Sequence, residues 1–212
     1  MKKVITSCNA MLIKSLIILA QYDKSFVKHA EQSLEALLQK LYIDERLYHT
    51  AMIDGKAKVN AFLEDYAYLS VALIQAYQTI LNEKYLHLAQ IISKKTLEDF
   101  FEVERWYFSK GESTTEADIS DSSYAAPVGV IIGGLLSLGT LLNKKYRNFA
   151  FKSLEYYSTQ LVKKPVHYPY LFNQALCYIK EDCDETLLCG VQSCYSSLTI
   201  NCNLEKELLK TL

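Results

Sequence analysis

Three stretches of this chain, "DKSFVKHA" at 23–30, "NEKYLHLA" at 82–89 and "NKKYRNFA" at 143–150, are versions of one segment. Setting Phe26 against Tyr85 and Tyr146, and Ala30 against Ala89 and Ala150, gives intervals of 59 and 61 residues, longer than most common helical repeats. The repeating unit is therefore large, and the chain is constrained to an array in which neighbouring units cover each other.

Each copy opens a segment with helical spacing. In the first, Phe26, Ala30, Leu34, Leu37, Leu38 and Leu41 form one apolar stripe, while Lys28, Glu31, Glu35 and Gln39 occupy the other side, the pattern of a helix with one wet face. Before each copy lies a segment that is apolar almost all round, at 9–21, 65–81 and 127–142; a helix without a polar face has to be covered on every side. Between repeats come "ERLYHTAMIDGKAKVNAF" and "ERWYFSKGESTTEADISDSSY". Both begin Glu-Arg, place aromatics next and carry a Gly among polar neighbours, as a short strand pair or extended loop does. Inner helix, outer helix and excursion, repeated, predict an all-α chain. Its architecture is an incomplete α/α toroid of about seven helices with short β-hairpin or loop excursions.

Composition bounds what such an array does. The chain has 212 residues, half of them hydrophobic, with 3 Pro and 7 Gly, enough for one substantial core. Lys and Arg number 23 against 24 Asp and Glu, a net charge of −1 that offers no basic field for a phosphate backbone, so nucleic acid is excluded as a partner. "AAPVGVIIGGLLSLGTLL" at 125–142 is uncharged and contains Gly129-x-x-x-Gly133, which on length alone reaches the lower limit for a membrane span. Its place at the inner-helix position of the repeat favours an internal helix and no membrane. Near the start, Lys14 interrupts an apolar run that otherwise imitates an export signal. The six cysteines, Cys8, Cys177, Cys183, Cys189, Cys194 and Cys202, form no C-x-x-C pair. With His sparse nearby, neither a metal nor another cofactor is expected, and free thiols suit a reducing cytoplasm. The organisation read from the repeat is a partial toroid over 1–180 and a cysteine-containing C-terminal segment over 181–212.

"KVITSCNAMLIKSL" at 3–16, "AFLEDYAYLSVALIQAY" at 61–77 and "DSSYAAPVG" at 121–129 together resemble the C-terminal region of the thioredoxin-domain-containing proteins of the YyaL and spermatogenesis-associated protein 20 type. The resemblance implies a six-hairpin α/α toroid similar to that of glycosidases and N-acylglucosamine 2-epimerases, with a carbohydrate-like ligand. It also places Asn9 of the first motif near the pocket. Two departures stand out: Cys8 replaces the Trp that the family usually carries before this Asn, and the chain begins at the first motif, without the thioredoxin-like domain and the first part of the toroid.

Candidate site residues follow from helix ends. Glu64 and Asp65 are neighbours that point about 100° apart on a helix, so they do not form the facing pair that glycoside cleavage needs. Asp65 with Asp121 is the candidate catalytic pair, because each opens the stretch before an inner helix; Asp65 is expected toward the axis and Glu64 against the adjacent excursion. N-terminal capping and loop bracing stand beside this as the plainer role. Tyr66, Trp106 and Tyr124, with Tyr68 and Tyr107, offer ring faces for a sugar, although with 16 Tyr in the chain most are packing. His29 and His87 hold corresponding places on outer helices and read as surface residues, whereas His49 and His167 lie in excursions and remain candidates for a base. Alternatives are a glycoside hydrolase or sugar isomerase using Asp65 and Asp121, and a non-catalytic structural or interaction module. Met11, Leu12, Leu16 and Ile18 would face a preceding repeat, so self-association into a homodimer through the N-terminal helices is expected.

Overall fold

The computed structural model describes residues 3–20, 22–110 and 114–180; the segment 181–212, with its four cysteines, lies outside the described residues. Strand β1 (Lys3–Ile5) leads into α1 (Thr6–Leu19) and α2 (Ser25–Leu41). Strands β2 (Tyr42–Ile43), β3 (Arg46–Met52) and β4 (Ala57–Asn60) precede α3 (Leu63–Ile80) and α4 (Glu83–Phe100). Strands β5 (Phe101–Glu102), β6 (Arg105–Ser109) and β7 (Thr115–Glu116) precede α5 (Pro127–Leu141) and α6 (Lys145–Lys163), and a short 3₁₀ turn, Pro165–His167, precedes α7 (Pro169–Lys180).

Helices α1, α3, α5 and α7 pack side by side as an inner row, and α2, α4 and α6 return along the outside against α1, α3 and α5. The seven α-helices among the described residues match the expected number, and α7 is a fourth inner helix that the repeat spacing had not revealed. The inner helices are covered as their composition demands: α3 buries thirteen of its residues and α5 ten. Their periodic faces leave little choice, because an all-apolar helix in water would expose several side chains worth about 1.5–3 kcal/mol each on burial. The outer row is tied across its wet face. Lys84 Nζ meets Glu35 at 2.7 Å, and the Tyr85 hydroxyl donates to Glu31 and Glu35 at 2.9 and 3.0 Å.

The Gly129-x-x-x-Gly133 spacing has a packing cause. A Cβ at Gly129 would lie 3.0 Å from the Tyr170 ring, and one at Gly133 would lie 2.8 Å from the Gln174 amide oxygen. Small residues thus let α7 settle onto α5, and no helix among the described residues is long and apolar enough to cross a membrane.

Both excursions are β-hairpins. β2 and β3 pair through Tyr42↔Leu47, and β5 and β6 through Phe101↔Trp106, each joined by a two-residue turn with positive φ: Asp44 and Glu45 (50° and 59°), Val103 and Glu104 (49° and 65°). β1 adds to β3 antiparallel, with Ile5 opposite Thr50, which carries the first turn of α1 to the hairpin. Leu47 and Trp106 take equivalent places and are both fully enclosed. One flank of α1 stays open: Leu12, Ile18 and Leu19 are exposed, whereas Met11 and Leu16 are half-buried.

Candidate functional site

The first turns of α1 and α3 meet beneath the β3 hairpin. Asp65, at the third position of α3, is wholly buried. One carboxylate oxygen, Oδ1, accepts the Ser7 backbone N–H at 3.0 Å, and the other, Oδ2, accepts the Phe62 backbone N–H at 3.0 Å and faces His49 Nδ1 at 2.9 Å. The carboxylate therefore caps its own helix, pins the start of α1 and holds a side chain of β3, satisfying backbone donors that a helix start leaves unpaired. Burial pushes the Asp65 pKa up, against the pull of the Phe62 N–H, His49 and Ser7.

Glu64 stands beside it, half-buried. Ser7 Oγ lies 3.4 Å from Glu64 Oε1, and the exposed Tyr124 hydroxyl hydrogen-bonds the same carboxyl. Its pKa is raised by burial first and by the Asp65 charge second, with His49, Ser7 and Tyr124 opposing. Tyr124 is raised in turn, chiefly by Glu64. Tyr68 continues the rim toward α5: its hydroxyl donates to the Ala125 carbonyl and its ring meets Tyr124 edge-on, centroids 6.1 Å apart. On the other side Phe62 stands between His49 (5.1 Å, edge-on) and Phe108 (4.9 Å, stacked), so its ring bridges the two hairpins.

The structure redistributes the expected roles. The two neighbouring carboxylates exchange places: Asp65 is the enclosed brace, and Glu64 is the acid on the open side. Asp121 does not join Asp65 as a catalytic partner. Its Oδ1 accepts the Ala126 N–H at 2.6 Å and its Oδ2 the Tyr170 N–H at 2.7 Å, so both oxygens are spent tying the starts of α5 and α7 together. Trp106 offers no ring to a ligand, being fully buried with Nε1–H donating to Ser153 Oγ at 2.9 Å. Tyr66 is 5% exposed against Phe100, its hydroxyl pushed up to about 12 by burial. It contributes to a separate cleft of about 890 Å³ between the β2–β3 hairpin and α4, lined also by Tyr42, Arg46, Lys95 and Asp99. Asn9 donates to the Ile5 carbonyl at 2.7 Å, bracing the first turn of α1. His29 and His87 are exposed on α2 and α4 as expected, and His167 is exposed before α7, where its carbonyl accepts the Asp121 N–H.

One ligand atom from each of His49, Glu64 and Asp65 lies within 4.8 Å of the others. As a metal centre the trio is poor, because a cation prefers lone pairs that are free, and both Asp65 oxygens already take N–H donors. A histidine clamped to a carboxylate beside a second carboxyl of raised pKa is better suited to moving protons.

No family model and no curated protein matches this chain. Among solved structures, glycosyl hydrolase family 88 from Bacteroides vulgatus superposes with a TM-score of 0.58 at 16% identity, over 73% of this chain and 49% of that one. Unsaturated glucuronyl hydrolase from Bacillus sp. GL1, described as responsible for the degradation of glycosaminoglycan, gives 0.55 at 16% identity over 72% of this chain and 45% of that one. A variant of UGL with dGlcA-Glc-Rha-Glc gives 0.57 at 14% identity with the same coverage. The chain has the α/α-toroid fold. It spans about half the length of the structures it matches. The fold expected from the three motifs is thus found, through six-hairpin neighbours of glycosyl hydrolase family 88; nothing in the comparisons bears specifically on the thioredoxin-domain family.

Proposed function

We propose that the rim formed by the first turns of α1 and α3 and the approach to α5 binds a carbohydrate-like ligand, with Glu64 as the polar contact and Phe62, Phe108 and Tyr124 as its walls. The observation that carries this reading is Glu64 itself: a half-buried carboxyl whose pKa burial and the Asp65 charge raise, beside the Tyr124 phenol at the inner-helix starts of a toroid. A carboxyl accepts from hydroxyl groups, and ring faces suit the C–H surface of a sugar. Similarity to carbohydrate-active proteins in fold supports the ligand class without naming the sugar. An exposed free thiol at Cys8 fits a reducing, cytoplasmic setting.

The test is a calorimetric titration with dGlcA-Glc-Rha-Glc and, separately, with neutral cellotetraose. Binding of either that Glu64→Ala weakens by about tenfold, the worth of one hydrogen bond to a charged or acidic group, is the expected result. No binding of either sugar, or binding indifferent to Glu64, overturns the proposal. A second reading, an interaction module, draws on the open apolar flank of α1, which would serve self-association as a homodimer.

A further inference from the structure

His49 is the part of this rim that neither packing nor ligand contact absorbs. It projects from the middle of β3, half-buried, and its Nδ1 is held 2.9 Å from a carboxylate with no exposure at all. Its other nitrogen has no hydrogen-bond partner among the described residues. A fully buried acid that fixes one imidazole nitrogen sets the tautomer, since only Nδ1–H can donate to Asp65, and it leaves the lone pair of the neutral ring on Nε2. The ring plane is set as well, by the edge contact with Phe62.

Glu64 is the adjoining residue on α3, half-buried, and shares with His49 and Asp65 a cluster whose ligand atoms span no more than 4.8 Å. The titratable groups around the pair come from every neighbouring element: Asp65 from α3, Tyr124 from the approach to α5 and, through Tyr124, Cys8 from α1. Among these, His49 is the group whose charge lowers Glu64's pKa, and Asp65 the one whose charge raises it.

We infer that His49 and Glu64 form an acid–base pair at the rim, with Asp65 as the residue that positions His49. The inference rests on the ligand-binding reading for its substrate class, a polyhydroxylated molecule, but not for its test. The pair transfers protons and nothing else. The Glu64 O–H bond breaks as its proton passes to the oxygen of a bridging water or ligand hydroxyl, and that same oxygen's own O–H bond breaks as His49 Nε2 takes the proton, so the bridging group is restored. This leaves a carboxylate and an imidazolium, which the reverse transfers reset, so protons balance without a redox partner. The arrangement needs no second carboxylate across a cleft, which Asp121 is not free to supply.

The test uses the full chain without ligand. In ¹⁵N-edited NMR, wild-type His49 is expected as the Nδ1–H tautomer when neutral, and Asp65→Asn is expected to lose that preference. A merely structural Asp–His brace predicts the same tautomer, so the deciding readout is Glu64, followed through its side-chain ¹³C carboxyl signal. His49→Gln should raise the Glu64 titration midpoint, because the His49 charge that draws it down is lost. A Glu64 midpoint unmoved in His49→Gln, or an Nε2–H tautomer in the wild type, overturns the pair. Absence of sugar binding with both signatures present would instead sink the carbohydrate reading alone. Should His49→Gln fail to fold, the Glu64 midpoint in His49→Asn decides.

Discussion

Replacing Asp65 by Ala should be the most destabilising single change at this rim, and the structure allows its size to be worked out. The side chain is wholly enclosed and takes three N–H donors, from Ser7, Phe62 and His49. Its removal deletes the cap of α3, worth about 1 kcal/mol. It also strands the Ser7 donor in a buried setting, at about 1–3 kcal/mol, while His49, partly exposed, recovers some solvation. The sum is about 2–4 kcal/mol, a large share of the 5–15 kcal/mol that holds a typical domain. In urea denaturation followed by circular dichroism, with a slope of about 2 kcal/mol/M, the midpoint should fall by roughly 1–2 M. Glu64→Ala, which loses only a long Ser7 contact and an exposed phenol, should move it by less than about 0.5 M by the same relation. If the two variants unfold together, or Glu64→Ala unfolds first, the assignment of Asp65 as brace and Glu64 as the open acid is wrong.

Other consequences are open to measurement. Glu64's pKa is raised above the usual 4.5, so the folded state holds its proton more tightly than the unfolded one; its stabilising contribution is present below pH 4.5 and is lost as pH rises through the folded value. Glu64→Gln should flatten that slope and raise the melting temperature at pH 7; an unchanged profile would argue against the raised value. Val103 is 80% exposed yet sits at φ 49°, a conformation hostile to a β-branched residue; Val103→Asn should stabilise by about 1 kcal/mol, and a lower melting temperature would refute the strain. Gly129→Ala should destabilise by about 1–3 kcal/mol through overpacking, because the added Cβ meets Leu171 backbone N at 3.3 Å as well as the Tyr170 ring at 3.0 Å; thermal unfolding no earlier than wild type would show that α7 simply gives way. Leu12, Ile18 and Leu19 leave an apolar flank on α1, so light scattering at tens of micromolar should show self-association that Leu12→Glu with Leu19→Glu abolishes; a wild-type monomer refutes it.

The array was legible in the sequence because it follows from periodicity. Inner and outer helices differ in how many of their faces are apolar, and that difference survives in any register. Roles at the site were less legible because they depend on which of two adjacent carboxylates the hairpin covers. Nothing in "LEDY" says that β3 lies over Asp65; that is settled by β1 pairing with β3 at Ile5↔Thr50, and β1 is only three residues long with no alternation to betray it. Trp106 was a different kind of miss, since the repeat itself held the answer. Glu45-Arg46-Leu47 and Glu104-Arg105-Trp106 align, and a position filled by a fully buried Leu in one hairpin is a core position in the other.

The same alignment sharpens the case for His49. Two residues beyond Leu47 stands His49, and two beyond Trp106 stands Phe108. These equivalent side chains flank one ring, Phe62, at 5.1 and 4.9 Å. Packing alone is served by a phenylalanine there, as the second hairpin demonstrates. In the first hairpin a polar ring occupies that place and is paired with a carboxylate enclosed at the cost of desolvation. A substitution by Phe at 49 would therefore be expected to keep the aromatic contact with Phe62 while leaving Asp65 short of a donor. Removing one of three donors from a buried carboxylate costs stability even though the shape is preserved. His49→Phe should thus lower the urea midpoint while leaving the hairpin's circular dichroism intact, and His49→Asn, which can still donate toward Asp65, should recover part of the loss. If Phe is tolerated as well as His, the first hairpin is using His49 as the second uses Phe108, and the departure from the repeat carries no chemistry.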